Sequence, residues 1–231
     1  MSYIVKVTSF LFLLTTFSLF GTAQVVNHDL AKSSVYEFLD ELANLKLIHL
    51  NTLIKPYSRQ LIADRLNEVD KSVLNERQLK ELNFYLKDFN KELNSDKNFD
   101  KRYDAFYYKD SIFSMTINPI MGGRFWTNEN GTNRHTRNGG EIYGTAGNNW
   151  GYYIALHDNS EKELLQNELY LNNELGATYK NSGDYSDVRA GLTYSWTWGS
   201  FGLLKDNFTW GNNNFGANIM ANKAPSFARL E

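Results

Sequence analysis

The sequence predicts an α+β chain: a short N-terminal helical bundle, then antiparallel strands forming part of an outer-membrane β-barrel. Three observations carry this. Residues 191–200 read G-L-T-Y-S-W-T-W-G-S, so Leu192, Tyr194, Trp196 and Trp198 alternate with Thr193, Ser195 and Thr197. At a period of two, one side of the strand is bulky and the other carries only small hydroxyls, as suits a wall between lipid and a wet lumen. The chain also opens with an export leader. Finally, its texture changes near Asp100 from helical spacing to alternation.

The leader is the first element. Lys6 supplies a positive charge, and an uncharged, mostly apolar run extends from Val7 to Phe20. Gly21-Thr22-Ala23 then offers small residues to a peptidase. This predicts a secretory signal peptide over 1–23, too short in its apolar run for a span of about 20 residues. No Cys lies near the cleavage point to carry a lipid, and no second long apolar run follows. A closed barrel is then the remaining route into a membrane.

Residues 24–99 read as the bundle. Ser34-Val35-Tyr36-Glu37 predicts a capping box with Ser34 as N-cap. Val35, Phe38, Leu39, Leu42 and Ala43 form the apolar stripe behind it. The link Leu47–Ile54 has an extended character, and Lys55-Pro56-Tyr57-Ser58 ends it, with Ser58 the next N-cap. Leu61, Ile62, Leu66 and Val69 line the second helix. Asn75-Glu76-Arg77-Gln78 caps a third, lined by Leu79, Leu82, Leu86, Phe89 and Leu93. These stripes read as ordinary core packing of a small bundle.

Residues 100–231 read as the barrel portion. The predicted strands are 104–109, 111–118, 121–128, 137–147, 149–158, 186–199 and 201–210. Asn128 to Gly131, Asn138-Gly139-Gly140 and Asn148-Asn149 supply the turn residues. Trp150, Tyr152, Ile154 and Leu156 share one side of their strand. Ser160-Glu161-Lys162-Glu163 resembles a capping box, and a long loop is expected near 158–186.

Composition excludes several classes. With no Cys, the chain has neither disulfides nor thiolate metal sites. Twenty-four basic against 26 acidic residues leave no basic excess for nucleic acid. Loss of Lys6 with the leader takes the net charge from −2 to −3. Aromatic content of 15% in a chain of negative mean hydropathy fits apolar residues spread over alternate positions. His28, His49, His135 and His157 form no metal-ligand spacing, and neither a nucleophile elbow nor a P-loop occurs. No catalytic residue, metal or cofactor is assigned. The features suited to a ligand are planar: Trp126 and Trp210 as stacking surfaces, and Arg124, Arg134 and Arg137 near the Asn-Gly turns as partners for acidic sugars. The bland reading of these arginines is a solvated loop or lumen wall.

Two segments carry a resemblance. Val35-Tyr36-Glu37-Phe38-Leu39-Asp40-Glu41-Leu42-Ala43 followed by Ile54-Lys55-Pro56-Tyr57-Ser58-Arg59 resembles the helical opening of the Wzi-like capsule assembly proteins. Lys205-Asp206-Asn207-Phe208-Thr209-Trp210-Gly211 with Ala224-Pro225-Ser226-Phe227 resembles barrel segments of the same family, in versions found in the Bacteroidota. Leu204 stands where the family often has Gly. The resemblance implies a large outer-membrane barrel with a helical bundle at its periplasmic end, a non-enzymatic, lectin-like monomer that holds capsular or other surface polysaccharide. Such barrels have more strands than are counted here, so the expectation is an N-terminal fragment. The alternatives are a porin-like channel, an outer-membrane enzyme acting on lipid or glycan, and a soluble periplasmic β-protein.

Overall fold

The computed structural model describes residues 25–50, 53–93, 100–129, 131–161, 184–211, 219–220 and 226–231. The leader and most of the expected long loop lie outside them. Among the described residues the helices come first: α1 (Ser33–Asn44), α2 (Arg59–Asn67) and α3 (Glu76–Leu93). None is long and apolar enough to cross a membrane. The predicted stripes become one core in which Phe38, Leu39, Leu42, Ile62, Leu66, Leu82 and Phe89 are buried together. Ser58 Oγ accepts the Leu61 N–H at 3.1 Å, as an N-cap should. Asn75 and Gln78 form a reciprocal box: each side-chain oxygen accepts the other residue's backbone N–H, at 2.9 and 3.1 Å. The box expected at Ser34 and Glu37 does not form. Ser34 is already inside α1, and Lys32 sits at the N-cap with no side-chain cap bond. Asp29 closes this entry instead, its carboxylate accepting from Ala31 N–H and its carbonyl from Lys32 N–H.

A two-stranded ladder links the halves: β1 (Ile54–Lys55) pairs with β8 (Thr209–Trp210), so among the described residues of the Leu47–Ile54 link only Ile54 is strand. The main sheet contains β2 (Phe106–Lys109), β3 (Phe113–Asn128), β4 (Gly131–Ala146), β5 (Trp150–Glu161), β6 (Asp184–Trp196), β7 (Gly199–Asp206) and β9 (Phe227–Leu230). All seven are antiparallel, in the order β2-β3-β4-β5-β6-β7-β9. The fold is therefore α+β, with the strands of the main sheet after the helices.

Several predicted boundaries shift. The strands expected at 111–118 and 121–128 are one strand, β3, running through Pro119. β2 pairs only as far as Ile117, so Pro119 lies where β3 has no second ladder partner among the described residues, a place where a missing N–H is tolerated. Asn138-Gly139-Gly140 is not a turn but the middle of β4. A Cβ at Gly139 would lie 1.9 Å from the Leu156 carbonyl oxygen, so this glycine permits close backbone approach. The turns at Asn128–Gly131 and Asn148-Asn149 are real, the latter with Gly147 at φ +60°. Ser160 and Glu161 are strand residues, which removes the box expected there and shortens the link between β5 and β6 to 162–183. β6 ends at Trp196 and β7 at Asp206, leaving Trp198 in a turn.

The distribution of burial is the reverse of a soluble sheet. On β6, Leu192 is 49% and Tyr194 40% exposed, whereas Thr193 is 4% and Ser195 0% exposed. β5 repeats this: Trp150, Ile154 and Leu156 are exposed, and Tyr153, Ala155, His157 and Asn159 are buried. Register aligns like with like. Ile117, Ile142, Ile154 and Ala190 form one row on the bare side, and Trp150, Tyr194 and Phe201 another. The helices do not cover this apolar side. They pack against the polar one.

Candidate functional site

The polar side of the sheet is where the two halves of the chain meet. The segment before α1 lies along it, and its charges find partners on successive strands. Lys32 Nζ contacts Glu141 of β4 at 2.7 Å. Asp29 Oδ2 lies 3.4 Å from Arg189 Nη1 of β6 and 3.5 Å from His157 Nε2 of β5. Arg189 also holds Asp206 of β7 through two bonds of 2.7 and 2.8 Å, and Tyr153 donates to the same carboxylate at 2.7 Å. Asp29, His157, Arg189 and Asp206 are all buried. The cluster therefore joins the segment before α1 to three strands rather than presenting a reactive group to solvent. Burial alone raises the pKa of Asp29. Arg189, His157, the Ala31 N–H and Lys32 outweigh it and hold the carboxyl below its usual range.

A second contact lies nearer the tight turns. Arg59 of α2 pairs with Glu92 of α3, and its guanidinium stacks 4.5 Å from both the Phe89 and Tyr143 rings. Lys91 donates to Tyr143 at 2.8 Å and to Asp104 at 2.9 Å. Asp104 also accepts from Asn118 and Lys101. Burial pushes its pKa up, but the bonds from Asn118, Lys91 and Lys101 bring it below the ordinary carboxylate value. A cavity of about 100 Å³ remains between these residues and the wall hydroxyls of Ser114 and Thr116. His28 is buried against Phe89 and Tyr36 with Arg59 beside it. That burial first, then the charges of Lys32, Arg59 and Arg189, drive its pKa well below the usual histidine range.

Beyond the helices, toward the Asn128–Gly131 hairpin, the same side carries further polar groups. His135 Nε2 lies 2.9 Å from Asn159 Oδ1, and Arg137 Nε donates to that oxygen at 3.2 Å. Register sets Arg124 opposite His135, which places Arg124, His135, Arg137 and Asn159 on one side. Trp126, two residues beyond Arg124, shares it. Arg134 does not join them. It pairs in register with Phe125, one residue out of phase, and so belongs to the bare side. Trp210 is remote, in the β1–β8 ladder opposite Ile54. Of the five residues singled out from sequence, the structure thus gathers Arg124, Trp126 and Arg137. His135 and Asn159 were missed, although their alternation with Arg137 and His157 carried the signal.

Among the described residues no group of three or more His, Asp or Glu side chains converges to hold a metal. No family model, curated protein or solved structure matches the chain.

Proposed function

We propose that this chain is an exported outer-membrane protein whose strands form part of a lipid-facing barrel wall. Its helical bundle sits against the inward side, and its role is to hold acidic surface polysaccharide rather than to catalyse a reaction. The observation that carries the reading is the inverted sheet: apolar side bare, polar side covered. A large exposed apolar face marks a contact surface, and alternation of apolar-out with polar-in is the pattern of a transmembrane strand.

The bare side also has bands. Trp150 and Tyr194 meet edge to face at 5.0 Å, with Trp196 and Trp198 adjoining, near the tight turns. At the other end β4, β5 and β6 turn polar together, at Asn138, Asp158 and Ser186, which are in register, while β3 keeps Met121 in that row and Phe125 beyond it. From Trp150 to Asp158 is about 27 Å of strand at ~3.4 Å per residue. Tilted by about 40°, that gives about 20 Å of height, close to the apolar band of such barrels. Lipid leaves no backbone group unpaired, so the reading requires the edges at β2, the free stretch of β3 and β9 to meet further strands. The turns at 110–112, 147–149 and 197–198 fit the periplasmic side, and the long 162–183 link the cell surface, where the longest hairpin, closed at Asn128–Gly131, also projects.

A porin-like channel fits less well, because charged and aromatic side chains of the bundle occupy the polar side. The Wzi-like resemblance agrees with this arrangement, and the polysaccharide role comes from it. The test combines conductance and binding. The full chain in planar bilayers is expected to remain closed, and in detergent to bind polygalacturonate. Steady open-channel conductance without binding of any acidic glycan overturns the proposal in favour of a pore.

A further inference from the structure

A cleft of about 580 Å³ lies between α1, α3, the segment after α3 and the start of the free stretch of β3. We infer that this cleft is a binding subsite for a carboxylate-bearing saccharide, with Tyr103 as the stacking surface and Arg102 as the carboxylate partner. The inference rests on the polysaccharide reading above and deepens it.

Tyr103 is 93% exposed, yet its loop is fixed on both sides. Arg102 N–H donates to the Lys87 carbonyl at 3.1 Å. Asp104 is held by Lys91, Lys101 and Asn118, and Ala105 N–H donates to Asn118 Oδ1 at 3.1 Å. A large ring presented to water by a pinned backbone is pre-organised for a ligand, since little ordering remains to be done on binding. Beside it, the half-exposed Arg102 guanidinium stacks 4.8 Å from the Phe84 ring and lies 3.6 Å from Asp88. Asp88 is also 3.8 Å from the buried Arg59. One carboxylate thus faces two guanidiniums, and Arg102 retains capacity for a second, two-pronged partner. Lys32, on another lip, is already committed to Glu141 at 2.7 Å.

The lining selects the chemistry. The open cleft mixes apolar and aromatic lining, such as Phe84, Ile120 and Met121, with charged groups such as Asp88 and Arg102, so its ligand must offer both an apolar face and polar groups. A sugar ring presents a C–H face to an aromatic and hydroxyls to its surroundings, and a uronate adds the carboxylate for Arg102. The volume is within the usual range of ligand sites, about 300–1,000 Å³. Further along β3, Arg124 lies four residues past Ile120, about 13 Å along the strand, on the same side as Arg137. A polyanionic chain that reached the cleft from the hairpin end would pass these cations.

The test uses the full chain in detergent and isothermal calorimetry. Ligands are a polygalacturonate oligosaccharide and a dextran oligosaccharide as neutral control. Tyr103→Ala is expected to weaken polygalacturonate binding at least about tenfold, and Arg102→Gln to remove the preference for it over dextran, losses typical of a charged or closely packed contact. An unchanged circular dichroism spectrum is expected for Tyr103→Ala, whose ring is exposed. If both variants bind polygalacturonate as the unaltered chain does, the cleft assignment falls and the polysaccharide reading stands. If the unaltered chain binds neither ligand, both fall.

Discussion

His28 is the residue whose environment has the clearest consequence for stability. It is enclosed by Phe89, Tyr36 and the Arg59 guanidinium, and its proton is disfavoured by burial and by the surrounding cations. The folded pKa is depressed from about 6.5, so below that pH the unfolded chain binds a proton that the folded chain lacks. Stability from this group is complete above about 6.5 and declines as pH falls toward the folded value. Asp29 acts with the same sign in a more acid range: its depressed pKa contributes stability at neutral pH that is lost as pH falls from its unfolded value of about 4 through its lowered folded value. His28→Phe is therefore expected to flatten the unfolding profile below about pH 6.5. Urea titrations at stepped pH measure this. Parallel profiles for the variant and the original chain would mean that His28 is not the sensor. Neither role was legible in the sequence, because a lone histidine before a helix carries no sign of what will enclose it.

Among the elements, β5 and β6 were the most legible, and for a definite reason. The alternation Trp150, Tyr152, Ile154, Leu156 and the alternation Leu192, Tyr194, Trp196 are strictly local, and a strand's side-chain period is fixed by its backbone. β3 and β4 were harder to read. Pro119 and the Asn138-Gly139-Gly140 run look like breaks, and they are accommodated only through neighbours: the end of β2 beside Pro119 and the close approach of Leu156 to Gly139. The placement of the arginines followed from the same parity, with Arg134 falling on the side opposite Arg137 once the hairpin register was set. The bare side yields the prediction at this scale. Ile154 lies midway between the aromatic row at Trp150 and the polar level at Asp158. Ile154→Arg is expected to cost about 2–4 kcal/mol of folding stability in phospholipid vesicles, as at a bilayer midplane. A change within about 0.5 kcal/mol, the ordinary result at a water-exposed site, would place this side in water. Equilibrium refolding in urea with vesicles present distinguishes the two.

For the whole molecule, the junction between helices and sheet is built differently from either part. The bundle closes its own apolar core, Phe38, Leu39, Ile62, Leu82 and Phe89 among it. Its contacts with the sheet are chiefly ion pairs and stacked cations at Lys32, Asp29, Arg59 and Lys91, beside a small apolar cluster of Val26 with Tyr143, Tyr153 and Leu204. Residues 25–93 alone are therefore expected to give a helical spectrum and a cooperative thermal transition in water without lipid, since the charges released would be hydrated rather than stranded. Absence of a cooperative transition would show that the sheet is needed for the bundle to fold. By itself the sequence determined the helices, the alternating strands that follow them and the contrast between bulky and small-hydroxyl sides, because each depends on local periodicity. Only the tertiary structure decided which side the helices would cover. Packing them on the polar side depends on charge partners such as Asp29 with Arg189, and Lys32 with Glu141, that are distant in sequence. The cleft at Arg102 and Tyr103 exists for the same reason: it lies between elements whose closeness no local pattern encodes.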